Sequence, residues 1–178
     1  MNNIPAYTTQ RTRNRSNIQY LFESDGHSSL VKAIQYTPIQ ELDGTTIYNL
    51  GFGDYYIETG KIADNSNSNN GDMRKVFSTV LNSIPDFFCS NENVAVWVQG
   101  SDSSDDFKET CKKSCSRNCT QICRNMHKRI KIYSYYIDKN FEELKNEYLF
   151  FGQVAENNAF SSYVPNKNYI GILIFKKN

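Results

Sequence analysis

The sequence has no uninterrupted apolar run near the ~18 residues of a membrane-spanning helix, so we expect neither a transmembrane segment nor a membrane partner. The first twenty residues carry three arginines but no apolar stretch, which argues against a secretory signal and predicts a cytoplasmic protein. The phosphate-binding patterns G-x-G-x-x-G and G-x4-G-K-[ST] are absent, and no nucleotide cofactor is indicated. His27 and His127 are the only histidines, and no credible Ser-His-Asp arrangement follows from them.

Aromatic residues are what the chain has in quantity: 12 tyrosines, 11 phenylalanines and one tryptophan among 178 residues. Each large ring buries on the order of 150–250 Å². Aromatic side chains can therefore build a core although only 39% of the residues are hydrophobic. We predict a flexible basic arm over residues 1–17, which contains Arg11, Arg13 and Arg15, followed by a single domain over residues 18–178.

Residue patterning predicts strands, a helix, a strand, a second helix and final strands. Apolar residues at spacings of three and four after Asp72 predict an amphipathic helix with Asp72 as its N-cap. Residues 129–137 favour a strand by residue type but a helix by spacing, and we predict a helix. The predicted strands cover residues 20–22, 30–36, 45–54, 94–98, 148–151 and 169–175. This order, without βαβ alternation, predicts an α+β fold with a single mainly antiparallel sheet and two packing helices.

Four of the five cysteines are spaced C-x3-C-x3-C-x3-C, and His127 adds one more step of four. The series is Cys111, Cys115, Cys119, Cys123 and His127. Because no Gly or Pro interrupts it, we predict one helix over residues 106–128. On that helix the outer thiols would lie about 18 Å apart along the axis. A single zinc ion, with thiolates at about 2.3 Å, could not bind all four.

Three states of these cysteines stay open. The thiols can pack as a small apolar stripe, since reduced cysteine behaves as a small hydrophobic residue. They can bind zinc, the one cofactor that the sequence suggests, in pairs shared with a second chain of a homodimer. They can also form disulfides, because the spacing is similar to that of twin C-x3-C helical hairpins.

The net charge of +1 conceals a basic block at residues 108–131, in which Glu109 is the only acid. Such a block predicts an anionic partner, either nucleic acid or an acidic protein. A hydroxyl at a strand end, a guanidinium and a nearby ring would form a phosphate-binding pocket. The candidate anion-binding residues are Ser101, Arg129, Tyr133, Lys128 and Arg124.

Several short motifs occur along the chain: Y-N-L-G-F-G-D at 48–54, N-N-G-D-M-R-K-V at 69–76, G-S at 100–101, R-x3-Y at 129–133 and N-Y-I-G-I-L-I-F-K at 168–176. Together they resemble a bacterial small-domain family of unknown function found mostly in Bacteroidetes, over residues 18–177. In that family the Gly-Ser strand end runs quickly into a basic helix that carries R-x3-Y. The resemblance therefore implies that residues 102–128 are a cysteine-rich basic insertion. It implies a fold and no reaction.

Three functions from different classes are compatible with these features. The first is binding of nucleic acid or another anionic partner, for example as the effector of a toxin–antitoxin or phage-defence pair. The second is a non-enzymatic protein-interaction module that docks through its aromatic surfaces. The third is a metal-dependent nuclease with the element order of RNase H-like folds, for which Asp54 and Asp72 are weak catalytic candidates. Whether the protein is an enzyme stays open.

Overall fold

A computed structural model describes residues 5–63, 70–113, 115, 119 and 123–177. These residues form nine β-strands and three α-helices. The strands are β1 (Gln10–Asn14), β2 (Asn17–Ser24), β3 (Leu30–Leu42), β4 (Thr45–Tyr56), β5 (Lys61–Ala63), β6 (Val94–Gln99), β7 (Tyr148–Gln153), β8 (Phe160–Ser162) and β9 (Gly171–Lys176). The helices are α1 (Met73–Cys89), α2 (Asp105–Lys113) and α3 (Lys128–Glu147), and a 3-10 turn covers Ser101–Ser103.

The strands form one mainly antiparallel sheet in the order β1-β2-β3-β4-β6-β9-β7-β8, and β5 pairs with β4. The predicted α+β class with a single mainly antiparallel sheet is therefore confirmed, and each of the six predicted strands is present. The chain divides into two compact units, Met1–Val96 and Trp97–Asn178. No helix among the described residues is both long and apolar enough to cross a bilayer.

The first unit is an antiparallel meander. A tight turn joins β3 to β4 at Asp43 and Gly44, whose φ angles are 48° and 76°, as their Asp-Gly sequence predicts. The strand predicted for residues 30–36 continues through Pro38 to Leu42. The pairing with β4 shifts register between Pro38 and Gln40, and this irregularity accommodates a residue that has no N–H to donate.

The sequence indicated no element before residue 18, yet residues 10–14 form β1. Arg11 pairs with Tyr20 and Arg13 pairs with Ile18 in an antiparallel register. Most side chains of β1 are exposed, so the strand shows no alternation of apolar and polar residues. Backbone pairing to β2 holds the strand in place. Because backbone hydrogen bonds do not require particular side chains, the residue composition of the strand does not reveal this pairing.

Helix α1 packs on the meander through the face that its spacing predicted. Val76, Val80, Ile84 and Phe87 are buried on that face. The ring of Tyr36, on β3, stacks on the ring of Phe87 with 4.0 Å between their centroids. Aromatic stacking of this kind supplies much of the core of the first unit.

In the second unit, α3 buries Ile130, Tyr133 and Ile137. Helix α3 therefore confirms the helix predicted for residues 129–137. Strand β7 pairs antiparallel with both β8 and β9. Gly171, at the start of β9, lies under the Trp97 ring, and a Cβ atom there would lie 2.0 Å from a ring carbon.

The predicted single helix over residues 106–128 is wrong. Helix α2 ends at Lys113, and Cys115, Cys119 and Cys123 are not helical. His127 takes a left-handed backbone conformation with φ of 58°, directly before α3 begins. A left-handed residue cannot sit inside a right-handed helix, so α3 has an N-terminus of its own.

Candidate functional site

A buried ion pair joins β3 to β4 in the first unit. Lys32 and Asp54 are directly opposite in the strand register. They are 6% and 7% exposed, and the Lys32 ammonium donates a hydrogen bond to Asp54 Oδ1. The ammonium also lies 5.8 Å from the centroid of the Phe52 ring. A charge at this depth is tolerated because an opposite charge accompanies it.

Asp72 belongs to a polar cluster in the same unit. Its Oδ2 accepts hydrogen bonds from the Tyr7 hydroxyl at 2.8 Å and from the Ser24 hydroxyl at 2.6 Å. The Asn70 amide donates to Ser24 Oγ at 3.0 Å. Burial disfavours the ionised Asp72, but the two hydroxyl donors and the positive charge of Lys32 hold the pKa of Asp72 below its usual range.

Asp72 is the N-cap residue of α1, as predicted, but its carboxylate does not cap the helix. The side chain accepts no backbone N–H from the first turn of α1. Its acceptor capacity goes to the Tyr7 and Ser24 hydroxyls instead. Hydroxyl groups that are distant in sequence have replaced the local backbone N–H groups as its hydrogen-bond donors.

The lowered pKa of Asp72 predicts a pH-dependent contribution to stability. A carboxyl group whose pKa is depressed by folding stabilises the protein above its unfolded value of 3.8 and loses that effect as pH falls through the folded value. We expect Asp72→Asn to lower the unfolding free energy at pH 7, and the difference from wild type to shrink below about pH 4. Urea unfolding at both pH values measures this. Asp43→Asn, in the exposed hairpin turn, is the matched control, and an Asp72→Asn effect that does not change with pH would contradict the prediction.

The two weak catalytic candidates, Asp54 and Asp72, thus lie in one unit. Lys32 interacts with both, since its ammonium donates a hydrogen bond to Asp54 and its positive charge favours the ionised form of Asp72. Neither Lys32 nor Tyr7 was singled out from the sequence. The signal for Lys32 was a lone cation on the β3 face that also carries Ile34 and Tyr36, both of which are buried. Tyr7 carried no comparable signal.

A second polar site lies at the start of α3 in the second unit. Asp102, which is 6% exposed, accepts the backbone N–H groups of Lys128 at 2.7 Å and Arg129 at 3.0 Å through Oδ2. Its carbonyl oxygen accepts the N–H of His127 at 3.1 Å. Gly100 makes room for this arrangement, since a Cβ atom there would lie 2.3 Å from Asp102 Oδ1. Asp102 is therefore the cap of α3, supplied from 26 residues earlier in the chain.

The residues predicted to bind an anion surround this cap. Ser101, Arg124 and Lys128 are exposed, whereas Arg129 is half-buried. Tyr133 is buried one turn further along α3, and burial raises its pKa to about 12, with Arg129 opposing and Asp102 adding to that effect. Because Asp102 already uses two of the first N–H groups of α3, an anion would be bound by the basic side chains.

A cleft of about 400 Å³ lies along α3. The residues that line it include His127, Lys131, Asp138, Glu156, Lys167 and Tyr169. The side chains that line the cleft carry charges of both signs, and nothing in the sequence indicated that a cleft lies there. The His127 ring lies within hydrogen-bonding distance of the Ser103 hydroxyl, at 3.0 Å from Nδ1 to Oγ.

The cysteines that were predicted to lie along one helix instead lie near the turn at residues 124–127. Two of the thiols share one neighbour, the Asn125 side-chain amide, which lies 3.9 Å from Cys115 Sγ. The Asn125 amide donates to Cys111 Sγ at 3.3 Å. This amide favours the thiolate of Cys111, but burial and the neighbouring thiols outweigh it, so the pKa of Cys111 is raised. The separation of about 18 Å expected for the outer thiols on a straight helix does not apply.

Cys119 also approaches this turn, and its sulfur accepts the backbone N–H of Arg124 at 3.4 Å. No disulfide joins any of the five cysteines. Within the described part of the chain, no three His, Cys, Asp or Glu side chains are grouped so that they could hold one metal ion. Zinc binding by the four cysteines and His127 stays a prediction.

The fold defines the protein as a mixed α/β protein built on one mainly antiparallel sheet. The model of a family of unknown function, DUF6934, matches residues 3–106, which is more than half of the chain, and the protein belongs to this family. The match contains the motifs at 48–54 and 69–76, which supply Asp54 and Asp72. The match ends before the cysteines at 111–123 and the R-x3-Y motif at 129–133. The resemblance found from the motifs had extended over both. No curated protein and no solved structure matches the chain.

Proposed function

We propose that the protein binds nucleic acid through a basic surface at the start of α3, formed by Arg124, Lys128 and Lys131. All three side chains are exposed. No carboxylate of the described residues forms an ion pair with any of them. Lys128 and Lys131 are three residues apart on α3, which places them on neighbouring positions of one helical surface.

The cap at Asp102 supports this proposal because it holds one negative charge away from the surface. The Asp102 carboxylate is buried and directed at the backbone of α3. The side chains of Arg124, Lys128 and Lys131 stay exposed to solvent. Phosphate groups bound in this way release counterions, so the affinity should fall steeply with salt and depend little on sequence.

Fluorescence anisotropy with labelled single-stranded RNA and double-stranded DNA of mixed sequence tests the proposal. We expect wild type to bind at low salt, and the triple variant Arg124→Gln/Lys128→Gln/Lys131→Gln to bind more weakly. If each cation neutralises one phosphate, the slope of log K against log salt should become shallower by about 2–3 in the variant. A flat wild-type signal at low salt with both nucleic acids would refute the proposal.

A matched control separates this surface from general charge. Lys61→Gln/Lys139→Gln/Lys176→Gln removes the same charge from exposed positions elsewhere. We expect this variant to keep most of the affinity and the wild-type salt slope. An equal loss in both triple variants would mean that binding reflects net charge and not the α3 surface.

The other functions make different predictions for the same assay. A protein-interaction module leaves both nucleic acids unbound. A metal-dependent nuclease shortens the labelled strand when Mg²⁺ or Mn²⁺ is added, and Asp54→Asn abolishes that cleavage. The ammonium of Lys32 already neutralises Asp54, which weighs against a divalent cation on that carboxylate. An effector of a toxin–antitoxin or phage-defence pair would in addition arrest bacterial growth when expressed, and the α3 triple variant would relieve the arrest.

A further inference from the structure

The cleft along α3 adjoins the basic surface, because Lys131 lines the cleft and also belongs to that surface. We propose that this cleft receives an unpaired nucleobase, so that the protein binds single-stranded nucleic acid in preference to duplex. This preference rests on the proposed binding of nucleic acid by the α3 surface, and it specifies which form of nucleic acid the surface binds. Tyr135, which lines the cleft and is 68% exposed, supplies the ring on which the base stacks.

Tyr135 continues the line of basic residues along α3. Lys128, Lys131 and Tyr135 follow one another at spacings of three and four residues, which places them on one stripe of the helix. Lys131 and Tyr135 are about 6 Å apart along the helix axis. A strand whose phosphates contact the two lysines therefore brings a neighbouring base to the Tyr135 ring.

The size and charge of the cleft favour a base over a phosphate group. Its volume of about 400 Å³ lies within the range of about 300–1,000 Å³ that is typical of ligand pockets. Asp138 and Glu156 line the cleft as well as Lys131 and Lys167. The two carboxylates disfavour an anion, whereas a nucleobase is uncharged and carries hydrogen-bond donors and acceptors on its edges. Phosphates therefore bind at the basic surface, and the base lies in the cleft.

Polar groups of the cleft suit the edges of a base. The Tyr163 hydroxyl donates to Asp138 Oδ1 at 2.7 Å and so orients that carboxylate. Carboxylates accept hydrogen bonds from the exocyclic amino groups of bases. Asn166 and Asn168 also line the cleft, and a side-chain amide both donates and accepts. The cleft therefore offers partners for both kinds of group on a base edge.

Tyr135 differs from the other aromatic residue of the cleft in being open to a ligand. Tyr169 is buried, and its ring packs against the Tyr163 ring with 4.9 Å between their centroids. Stacking on an exposed ring such as that of Tyr135 is open to any base, since every base has a π-face. Bases in a duplex are already stacked and paired, and removing one from the stack costs free energy. The stacking gain is therefore available to single strands.

Fluorescence anisotropy with one labelled DNA strand, alone and annealed to its complement, tests this preference in the full-length protein. We expect wild type to bind the single strand more tightly than the duplex at the same salt concentration. Tyr135→Ala should weaken single-strand binding by about 5- to 150-fold and leave duplex binding unchanged. The salt slope should also stay unchanged, because tyrosine carries no charge. The same strand made as RNA distinguishes the two sources of an unpaired base, and a preference that depends on Tyr135 in either series supports the proposal.

Three further variants show whether the aromatic ring is what matters. Tyr135→Phe keeps the ring and should keep the single-strand affinity, whereas Tyr135→Leu keeps apolar bulk without a ring and should lose it. Tyr56→Ala removes a tyrosine that is exposed in the first unit, and it should change neither affinity. Duplex binding that persists in Tyr135→Ala shows that α3 is still folded in that variant.

The outcomes separate this preference from the proposed function. Equal affinity of wild type for the single strand and the duplex would overturn the base-binding cleft and leave the basic surface in place. An equal loss of both affinities in Tyr135→Ala, or wild-type affinity in Tyr135→Leu, would do the same. Binding of neither form at low salt would refute the proposed function and the base-binding cleft with it.

Discussion

Replacing Asp54 with alanine is expected to lower the free energy of unfolding by about 3–5 kcal/mol. The substitution leaves the Lys32 ammonium buried between β3 and β4 without the carboxylate that faces it. Removing one partner of a buried pair costs more than the pair contributes, because the remaining charge has lost both its water and the carboxylate that it contacts directly. Urea unfolding followed by circular dichroism measures the change.

The double variant Lys32→Met/Asp54→Leu is the control for this prediction. Both charges are then absent, and apolar side chains fill similar space beside Phe52, so most of the lost stability should return. A loss below about 1 kcal/mol for Asp54→Ala would show that water reaches Lys32 in solution and that the pair is not buried as described.

Replacing Asp102 with alanine is expected to cost about 2 kcal/mol, near the upper end of N-cap substitutions. The backbone N–H groups of Lys128 and Arg129 lose their acceptor, and the first turn of α3 loses the negative charge that its dipole favours. Hydrogen exchange gives a local measure, because the amides of residues 128 and 129 should exchange faster in the variant while those in the middle of α3 change little.

Asp102→Asn is the matched variant. Its amide oxygen can still accept both N–H groups, so it should lose only the charge–dipole contribution of about 0.3–1 kcal/mol. Equal losses for the Asn and Ala variants would mean that the carboxylate acts through its charge alone and that the two hydrogen bonds contribute nothing.

Local patterning predicted those elements whose side chains repeat with a clear period. The apolar spacing of α1 and the four-residue spacing of Arg129, Tyr133 and Ile137 predicted helices that the structure contains. The Asp43-Gly44 dipeptide predicted its turn because few residues adopt positive φ easily. By contrast, β1, β5 and β8 are short strands with largely exposed or half-buried side chains, and such strands have no apolar alternation to detect.

The candidate site was predicted in part for a similar reason. Asp54 and Asp72 stood out as acids near the ends of predicted elements. Their real partners, Lys32, Tyr7 and Ser24, come from other strands and from the arm. Strand register decides which side chains meet. The shift between Pro38 and Gln40 places Lys32 opposite Asp54, whereas the register at the hairpin turn would have placed it opposite Tyr55 on the other face of β4.

The sequence by itself determined the fold class, the amphipathic helices, the basic block and the presence of four closely spaced thiols. These are properties of composition and period, which each segment carries alone. Only the tertiary structure decided where α3 begins. Its start depends on Asp102, a buried carboxylate that caps α3 from 26 residues away, and on the left-handed backbone of His127. A helix ends where its backbone groups find better partners elsewhere, and those partners are defined only when the chain is folded.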